Sequence, residues 1–250
     1  MPTPAAPSLH FQGHAYAAFL FDMDGTMLDS SAVVERNWRA WAVRHGVAVD
    51  ELLASIHGVR GEDVVRRFGP PDLDVAAEAA WLLAADLADV EGIVPIAGIE
   101  ALISSLDPAT WAVVTSASRN LATLRLRAEG LPIPETLIAA DDVAKGKPDP
   151  EGFLKAAAIL GVPIDKCLVF EDSLAGVAAA RAAGAQVVIV GDLVPASEGA
   201  FHIMDYRQPF PPSLARGATL CCHQTGRWRP SPQKPLQNRA TATAAWPQAH

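Results

Sequence analysis

The chain has 250 residues, of which 50% are hydrophobic and 19% charged, as is typical of a globular protein with one domain or with one domain that carries a smaller insert. Its 28 acidic and 20 basic residues give a net charge of -8, which argues against nucleic acid and anionic membranes as partners. The three cysteines, Cys167, Cys221 and Cys222, predict neither a disulfide framework nor a zinc site, so we expect a cytoplasmic protein. No apolar run approaches the roughly 20 residues of a membrane-spanning helix.

Short apolar runs alternate with helical segments between residues 16 and 206, which is the pattern of a parallel α/β sheet. Five runs predict strands, and a sixth, at 200–204, is weaker. The five runs are 17–21, 111–114, 136–138, 167–170 and 186–190. Acidic or hydroxyl residues follow most of these runs, and open α/β sheets bind ligands at the carboxyl ends of their strands. The sequence therefore predicts an open parallel α/β sheet with a polar crevice at one edge.

A helical segment interrupts this alternation and contains no convincing strand. In its first helix Trp38 and Trp41 share a face with Val34 and His45, and we interpret the two tryptophans as packing residues. The pattern predicts two domains: a core of residues 16–29 and 96–206, and an inserted helical domain of residues 30–95.

The composition changes sharply at Pro209. The 42 residues that begin there include seven prolines and five Lys or Arg, but no Asp or Glu. They show no sustained hydrophobic period from which a core could be built. We therefore predict that residues 209–250 form a disordered, proline-rich basic tail.

Two aspartates follow the first predicted strand directly. Asp22 and Asp24 stand two residues apart, which places both side chains toward the same side, and Gly25 allows the chain to turn away. Two carboxylates at this spacing resist simultaneous ionisation unless a cation holds them, so the pattern favours a hard divalent ion such as Mg²⁺. The alternative is a simple Asp-Gly turn at the end of a strand.

Four short segments resemble the motifs of the haloacid dehalogenase superfamily, whose members are phosphohydrolases with an aspartate nucleophile. Phe-Leu-Phe-Asp-Met-Asp-Gly-Thr at 19–26 resembles the first motif, and Val-Val-Thr-Ser at 113–116 the second. Lys-Gly-Lys-Pro-Asp-Pro at 145–150 resembles the third motif, and Val-Phe-Glu-Asp-Ser at 169–173 the fourth. The four occur in the order of the family. This resemblance implies a Rossmann-like α/β core with an inserted α-helical cap.

The resemblance also implies a role for each acidic residue. Asp22 is expected to attack phosphorus and form an aspartyl-phosphate, while Asp24 acts as general acid and then as general base. Mg²⁺ is expected to be held by Asp22, by Asp172 and by the backbone carbonyl of Asp24. Glu171 either joins the metal site or orients the lysine of the third motif.

The phosphate-binding residues follow from the second and third motifs. Lys147, the lysine that precedes a proline, is expected to place its positive charge on the transferring phosphoryl oxygens. The Ser116 hydroxyl and the amide of Ala117, which precede a predicted helix, are expected to hold the phosphate. Thr115 is the alternative hydroxyl ligand, and a plain helix cap is the alternative role for Ser116.

A loop of the predicted cap carries two further candidates. Gly58 separates His57 from Arg60 and allows a tight turn. The loop resembles the specificity loop of the sugar-phosphatase group of the superfamily, which includes 2-deoxyglucose-6-phosphate, hexitol-phosphate and glycerol-3-phosphate phosphatases. This implies that His57 and Arg60 contact the substrate. The alternative is that Arg60 pairs with Glu62 or Asp63 and that His57 caps a helix.

Together these features predict a Mg²⁺-dependent phosphatase for a small sugar or polyol phosphate. A phosphomutase of the β-phosphoglucomutase kind is the first alternative, but residues 31–38 lack the histidine that gates the acid–base aspartate in those relatives. The second alternative is a protein without catalysis, either a receiver-like domain or a silent phosphate binder. A receiver carries its phosphoacceptor after a middle strand and has no cap, and no core motif residue is missing here.

Overall fold

The computed structural model describes residues 9–11, 14–195, 201–207, 220–222 and 228–230. No helix in these ranges is long and apolar enough to cross a bilayer. The strands in this part of the chain are β1 Leu9–Phe11, β2 His14–Tyr16, β3 Ala18–Phe21, β4 Leu28–Asp29, β5 Val94–Pro95, β6 Trp111–Val114, β7 Thr136–Ile138, β8 Cys167–Glu171, β9 Gln186–Val190, β10 Phe201–Ile203, β11 Leu220–Cys222 and β12 Trp228–Pro230. The α-helices are α1 Ser31–His45, α2 Val49–Leu53, α3 Gly61–Phe68, α4 Val75–Ala88, α5 Ile99–Ser105, α6 Arg119–Ala128, α7 Glu151–Leu160 and α8 Leu174–Ala183.

The central sheet has six parallel strands in the order β10-β9-β8-β3-β6-β7. β6, β7 and β9 have the predicted bounds, β3 begins one residue later than predicted, and β8 ends one residue later. The weak sixth run forms the edge strand β10. The predicted α/β class is confirmed.

Helices cover both faces of this sheet because side chains along each strand alternate between the two faces. Phe19 and Phe21 of β3 belong to one core cluster, which also contains buried residues of α5 and α6. Ala18 and Leu20 belong to the opposite cluster, with buried residues of α7 and α8. All four residues of β3 are buried, as expected for a central parallel strand.

The strand order places the ends of the motif strands side by side. β3 lies in the middle of the sheet, with β6 on one side and β8 on the other. The chain crosses from β3 to β6 and β7 on the first side, and then returns to β8 and β9 on the second side. This is the topological switch point at which open α/β sheets bind ligands. The amide of Asp22 donates to the carbonyl of Phe170 at 2.9 Å, which extends the pairing of β3 and β8 to the first motif aspartate.

Helices α1 to α4, residues 31–88, form a unit with its own hydrophobic core, which we call the helical insert. Trp41 is fully buried in that core, and its ring lies edge-on to Trp38 with 5.6 Å between the centroids. The predicted packing role of both tryptophans is confirmed. The core also includes Ala42, Leu52, Ile56, Val64, Val65 and Leu82.

The two connections of the helical insert pair with each other. Leu28 faces Pro95 and Asp29 faces Val94 in the antiparallel pair β4–β5. The sequence did not predict this ribbon, since two-residue strands are too short to show an alternating pattern. Helix α2 ends at Leu53, after which the chain forms the loop that carries Gly58.

Two segments of the proline-rich tail form strands. β11 pairs in parallel with β1 and antiparallel with β12, and β2 completes a separate four-stranded sheet. Residues 220–222 and 228–230 of the predicted tail thus find backbone partners, β11 on β1 and β12 on β11, which a three-residue run cannot reveal in sequence. The disorder of the tail stays a prediction. The rest of 209–250 lies outside the described residues.

A buried polar network stabilises the helical insert. Glu78 of α4 accepts hydrogen bonds from Trp41 Nε1 at 3.2 Å and His45 Nε2 at 2.9 Å, and Arg44 lies 3.2 Å away. The hydrogen bond from His45 holds the pKa of Glu78 below its ordinary value, and the charge of Arg44 acts in the same direction. The ionised carboxylate therefore joins α1 to α4.

Replacing Glu78 by glutamine is expected to lower the melting temperature by several degrees at pH 7. A carboxyl whose folded pKa is depressed stabilises the fold above its unfolded pKa, and this contribution is lost as the pH falls through the folded pKa. The difference between wild type and Glu78→Gln should therefore shrink below about pH 4.5, the ordinary pKa of the group. Thermal unfolding from pH 3 to pH 8 measures this difference in melting temperature.

Glu35→Gln, which breaks an exposed pair with Arg39, is the control, and its melting temperature should change little. An E78Q difference that does not depend on pH would contradict the charge argument.

Candidate active site

Three buried carboxylates meet at the carboxyl edge of the sheet. Asp22 follows β3, Glu171 ends β8 and Asp172 follows it, and one carboxylate oxygen from each lies within 4.8 Å of the others. The ammonium group of Lys147 bonds Asp22 Oδ1 and lies 2.5 Å from Glu171 Oε1. The structure thus brings predicted residues of the first, third and fourth motifs into one cluster.

Glu171 uses both of its oxygens on protein partners. Oε1 accepts from Lys147, and Oε2 accepts from the amide of Asp172 and from the amide and hydroxyl of Ser173, each at 2.9 Å. Gly176 packs so closely that a Cβ there would lie 1.7 Å from Oε1. Of the two roles predicted for Glu171, these contacts favour the orientation of Lys147.

The cluster has unusual electrostatics because its charged side chains are buried close together. Burial raises the pKa of Asp22 to about 7, with Lys147 opposing the rise and Glu171 adding to it. Burial also raises the pKa of Asp172 well above its ordinary value, and the carboxylates of Glu171 and Asp22 add to this. Burial would lower the pKa of Lys147, but Asp22 and Glu171 outweigh it and raise that pKa. The lysine therefore stays charged.

The arrangement of the carboxylates fits a divalent cation. Asp172 Oδ1 is buried and has no hydrogen-bond partner, so a ligand oxygen is left over after the protein contacts are made. Its other oxygen, Oδ2, lies against the first-motif loop, where a Cβ on Gly25 would approach it to 1.9 Å. Carboxylate oxygens are the donors that hard divalent ions prefer. Asp22 and Asp172 can therefore hold such an ion.

Asp24 lies beside the cluster and has partners that were not predicted from the sequence. Its Oδ1 accepts from Ser30 Oγ at 2.6 Å and from Arg125 Nη1 at 2.9 Å. Arg125 is buried and also lies 3.4 Å from Asp86 of the helical insert. One sequence signal could have found Arg125, since it occupies the buried stripe of α6, where an apolar residue is expected.

The second motif places its two hydroxyls differently. The buried Thr115 Oγ1 accepts from the amide of Ala117 at 3.1 Å, so the amide that was predicted to bind phosphate has a protein partner. Ser116 is only partly buried, and its Oγ donates to the carbonyl of Gly58 at 2.8 Å. Ser116 is thus the hydroxyl that faces the helical insert.

The two candidates on the helical insert reach the same region. Half-buried His57 and Arg60 both line the cavity that lies between the helical insert and the carboxyl edge of the sheet. Burial lowers the pKa of His57, while Glu35 opposes this. Arg60 Nε donates to Asp63 at 2.8 Å, which is the pairing that stood as the alternative, and Nη1 lies 3.4 Å from the carbonyl of Ala144 in the core. Arg60 thus contacts the core while it lines the cavity.

A cavity of about 440 Å³ lies between the helical insert and the carboxyl edge of the sheet. This volume is suited to a small molecule. Its lining combines the catalytic candidates with hydroxyls, acids and a few apolar side chains. Among the polar residues that line it are Asp22, Asp24, Asp172, Ser30, Ser116, Ser118, Asp86 and Asp141.

Comparisons with known proteins agree with the motifs and the fold. Hexitol phosphatase A of Escherichia coli (strain K12) is 44% identical over 176 residues, which cover 69% of this chain and 82% of that protein. 2-Deoxyglucose-6-phosphate phosphatase 1 of Saccharomyces cerevisiae is 34% identical over 192 residues, or 68% of this chain and 77% of that protein. The crystal structure of a hydrolase from Pseudomonas syringae matches with a TM-score of 0.67 and 27% identity, covering 76% of this chain and 94% of that one.

A family model extends this agreement across most of the core and the helical insert. The model for haloacid dehalogenase-like hydrolases matches residues 16–184. That range contains all four motifs and both sides of the cavity, so the predicted resemblance is confirmed. The chain belongs to the haloacid dehalogenase-like hydrolase family.

Proposed function

We propose that this protein is a Mg²⁺-dependent phosphatase that hydrolyses a small sugar or polyol phosphate through an aspartyl-phosphate on Asp22. The observation that carries the proposal is that Asp22 and Asp172, which form a buried cluster with Lys147 and Glu171, line a cavity of about 440 Å³. Phosphatases for hexitol phosphate and 2-deoxyglucose 6-phosphate among the relatives support the substrate class.

In the first step Asp22 attacks phosphorus while the P–O bond to the substrate alkoxide breaks. Asp24 gives its proton to the departing alkoxide, which leaves as an alcohol. Lys147 balances the charge that develops on the phosphoryl oxygens. A bound Mg²⁺, held by Asp22, Asp172 and the backbone carbonyl of Asp24, would offset the repulsion between carboxylate and phosphate.

In the second step water attacks the phosphorus of the aspartyl-phosphate. Asp24, now ionised, accepts the proton of that water, and the bond between phosphorus and Asp22 breaks to release inorganic phosphate. Ser116 and the amide of Ala117 are proposed to hold the phosphoryl group. To do so, the Ser116 hydroxyl must release the carbonyl of Gly58, and the amide must release Thr115 Oγ1. The helical insert acts as a cap that excludes bulk water.

The charge pattern of the cavity favours a monophosphate with a neutral, hydroxylated remainder. Asp86, Asp141 and Ser118 offer acceptors for hydroxyl groups away from the cluster. The two arginines that line the cavity within the described residues already have carboxylate partners, Arg60 with Asp63 and Arg125 with Asp24. A second phosphate would find no unpaired arginine there. This disfavours a phosphomutase, whose bisphosphate intermediate needs two phosphate sites.

The test is phosphate release from hexose, hexitol, glycerol and glycolate phosphates and from β-glucose 1-phosphate, with and without Mg²⁺. We expect hexitol or hexose 6-phosphates to be the best substrates and activity to fall at least about 100-fold without the metal, since the metal contributes several kcal/mol. The cytoplasmic location and the absence of nucleic-acid partners remain predictions.

The other outcomes of this panel are informative. Conversion of β-glucose 1-phosphate to the 6-phosphate without phosphate release would identify a mutase. Binding of phosphate without turnover of any ester would identify a silent binding protein. Full activity in the presence of excess chelator would contradict the role of Mg²⁺.

A further inference from the structure

A buried arginine connects the proposed proton donor with the helical insert. Arg125 of α6 is 2% exposed, and its guanidinium lies between Asp24 of the core and Asp86 of α4. A buried guanidinium needs charged partners, because an unpaired one pays a large desolvation cost. The two aspartates supply these partners from opposite sides of the cavity.

On the core side, Arg125 fixes which oxygen of Asp24 can move a proton. Oδ1 accepts two hydrogen bonds, one from Arg125 Nη1 at 2.9 Å and one from Ser30 Oγ at 2.6 Å. An oxygen that accepts two donors has no lone pair left in position for a proton, so proton transfer falls to Oδ2. The side chain of Asp24 is 27% exposed and lines the cavity.

On the side of the helical insert, Asp86 determines where the guanidinium of Arg125 lies. Asp86 Oδ1 lies 3.4 Å from Arg125 Nη2 and accepts from Asn37 Nδ2 of α1 at 2.8 Å. Arg125 Nε and Nη2 make no hydrogen bond within the described part of the chain. The attraction of Asp86 therefore holds this end of the guanidinium, and Asn37 in turn holds Asp86.

We propose that Arg125 is a positioning residue for Asp24 and that Asp86 keeps it in place. The proton donor then takes its productive orientation when the helical insert is seated on the core. This inference rests on the proposed function, since it assumes that Asp24 protonates the leaving group.

The leaving group provides a specific readout. A polyol alkoxide must be protonated as it departs, whereas 4-nitrophenolate leaves without a proton. Loss of Arg125 should therefore slow phosphoryl transfer from a polyol phosphate far more than from 4-nitrophenyl phosphate. Both substrates form the same aspartyl-phosphate, and its hydrolysis is therefore the same for both. The two substrates differ only in the first step, which is measured as the rate of substrate consumption in a single turnover.

The experiment compares wild type with Arg125→Met, Arg125→Lys and Asp86→Asn on glucitol 6-phosphate and on 4-nitrophenyl phosphate. For R125M we expect consumption of glucitol 6-phosphate to fall about 100-fold with KM nearly unchanged, and consumption of the aryl ester to fall less than about 5-fold. R125K should restore part of the loss, and D86N should lose about 10-fold on glucitol 6-phosphate alone. Arg127→Met, an exposed arginine on the same helix, is the matched control and should change neither rate.

Equal slowing of the two substrates by R125M would overturn the positioning role. A D86N enzyme with unchanged rates would overturn the link to the helical insert. If thermal unfolding shows that R125M is not folded, the positioning role is tested with R125K, which keeps the charge, and with D86N, which keeps the shape of the site. A wild type that consumes neither ester would refute the proposed function itself, whereas failure of the inference alone leaves wild-type hydrolysis intact.

Discussion

Replacing Asp22 by asparagine is expected to reduce turnover of every phosphate ester by at least about 1,000-fold, since loss of a nucleophile removes the covalent route. The amide of asparagine cannot form the bond to phosphorus. Lys147 keeps its contact with Glu171 in the variant, so the phosphate-binding charge remains in place. The loss should therefore lie in kcat, with little change in substrate affinity.

The fold of the Asp22→Asn protein should survive, because asparagine has nearly the same shape and carries no charge into a buried site. Burial already disfavours the ionised form of Asp22, as its pKa of about 7 shows. We expect the melting temperature to stay close to that of wild type. Asp165→Asn, an exposed aspartate in the turn before β8, is the control and should keep full activity.

A rapid acid quench of the wild-type reaction adds a direct readout of the intermediate. Mass measurement should find one phosphoryl group on the peptide that contains Asp22, and none in the variant. An Asp22→Asn enzyme that keeps a tenth of the wild-type rate would refute the nucleophile assignment. A phosphoryl group on another residue would do the same.

The positions of the motif residues that directly follow a strand were predictable, because the backbone of the strand fixes where they lie. Asp22 and Asp172 each follow a buried parallel strand, and the sheet order puts those strands side by side. The position of Asp22 therefore follows from the apolar run before it together with the general rule for ligands at strand ends. Lys147 reaches the same cluster from a loop, and its motif alone indicated this.

The side-chain partners of the other site residues were not predictable in the same way. Arg125 and Asp24 are 101 positions apart, and the pair forms only because α6 packs beside the first-motif loop. The carboxylate with which Arg60 pairs depends on the rotamer of its side chain, and the spacing of residues along the sequence does not determine that rotamer. The choice between two roles for Glu171 needed its full set of hydrogen bonds, which only the structure gives.

Gly58 of the helical insert lies directly against residues of the second and fourth motifs. Its carbonyl accepts from Ser116 Oγ at 2.8 Å, and a Cβ at this position would lie 2.1 Å from Ser173 Oγ. Ser173 cannot easily move away, because its hydroxyl donates to Glu171 and accepts from the amide of Gly176. A side chain at Gly58 must therefore push the loop away from the site.

Replacing Gly58 by alanine is expected to lower kcat/KM by about 10- to 100-fold, since a displacement of about 1 Å can cost two orders of magnitude. Gly46 is the matched control, because it has a similar left-handed φ of +66° against +71° for Gly58 but nothing within 4 Å of its added Cβ. Both variants carry the same backbone strain of about 1–2 kcal/mol. Gly58→Ala carries the clash with Ser173 in addition, so its melting temperature should fall at least as much as that of Gly46→Ala. Only Gly58→Ala should lose activity on sugar phosphates. Equal activity in the two variants would mean that the approach of this loop to Ser116 and Ser173 does not contribute to catalysis.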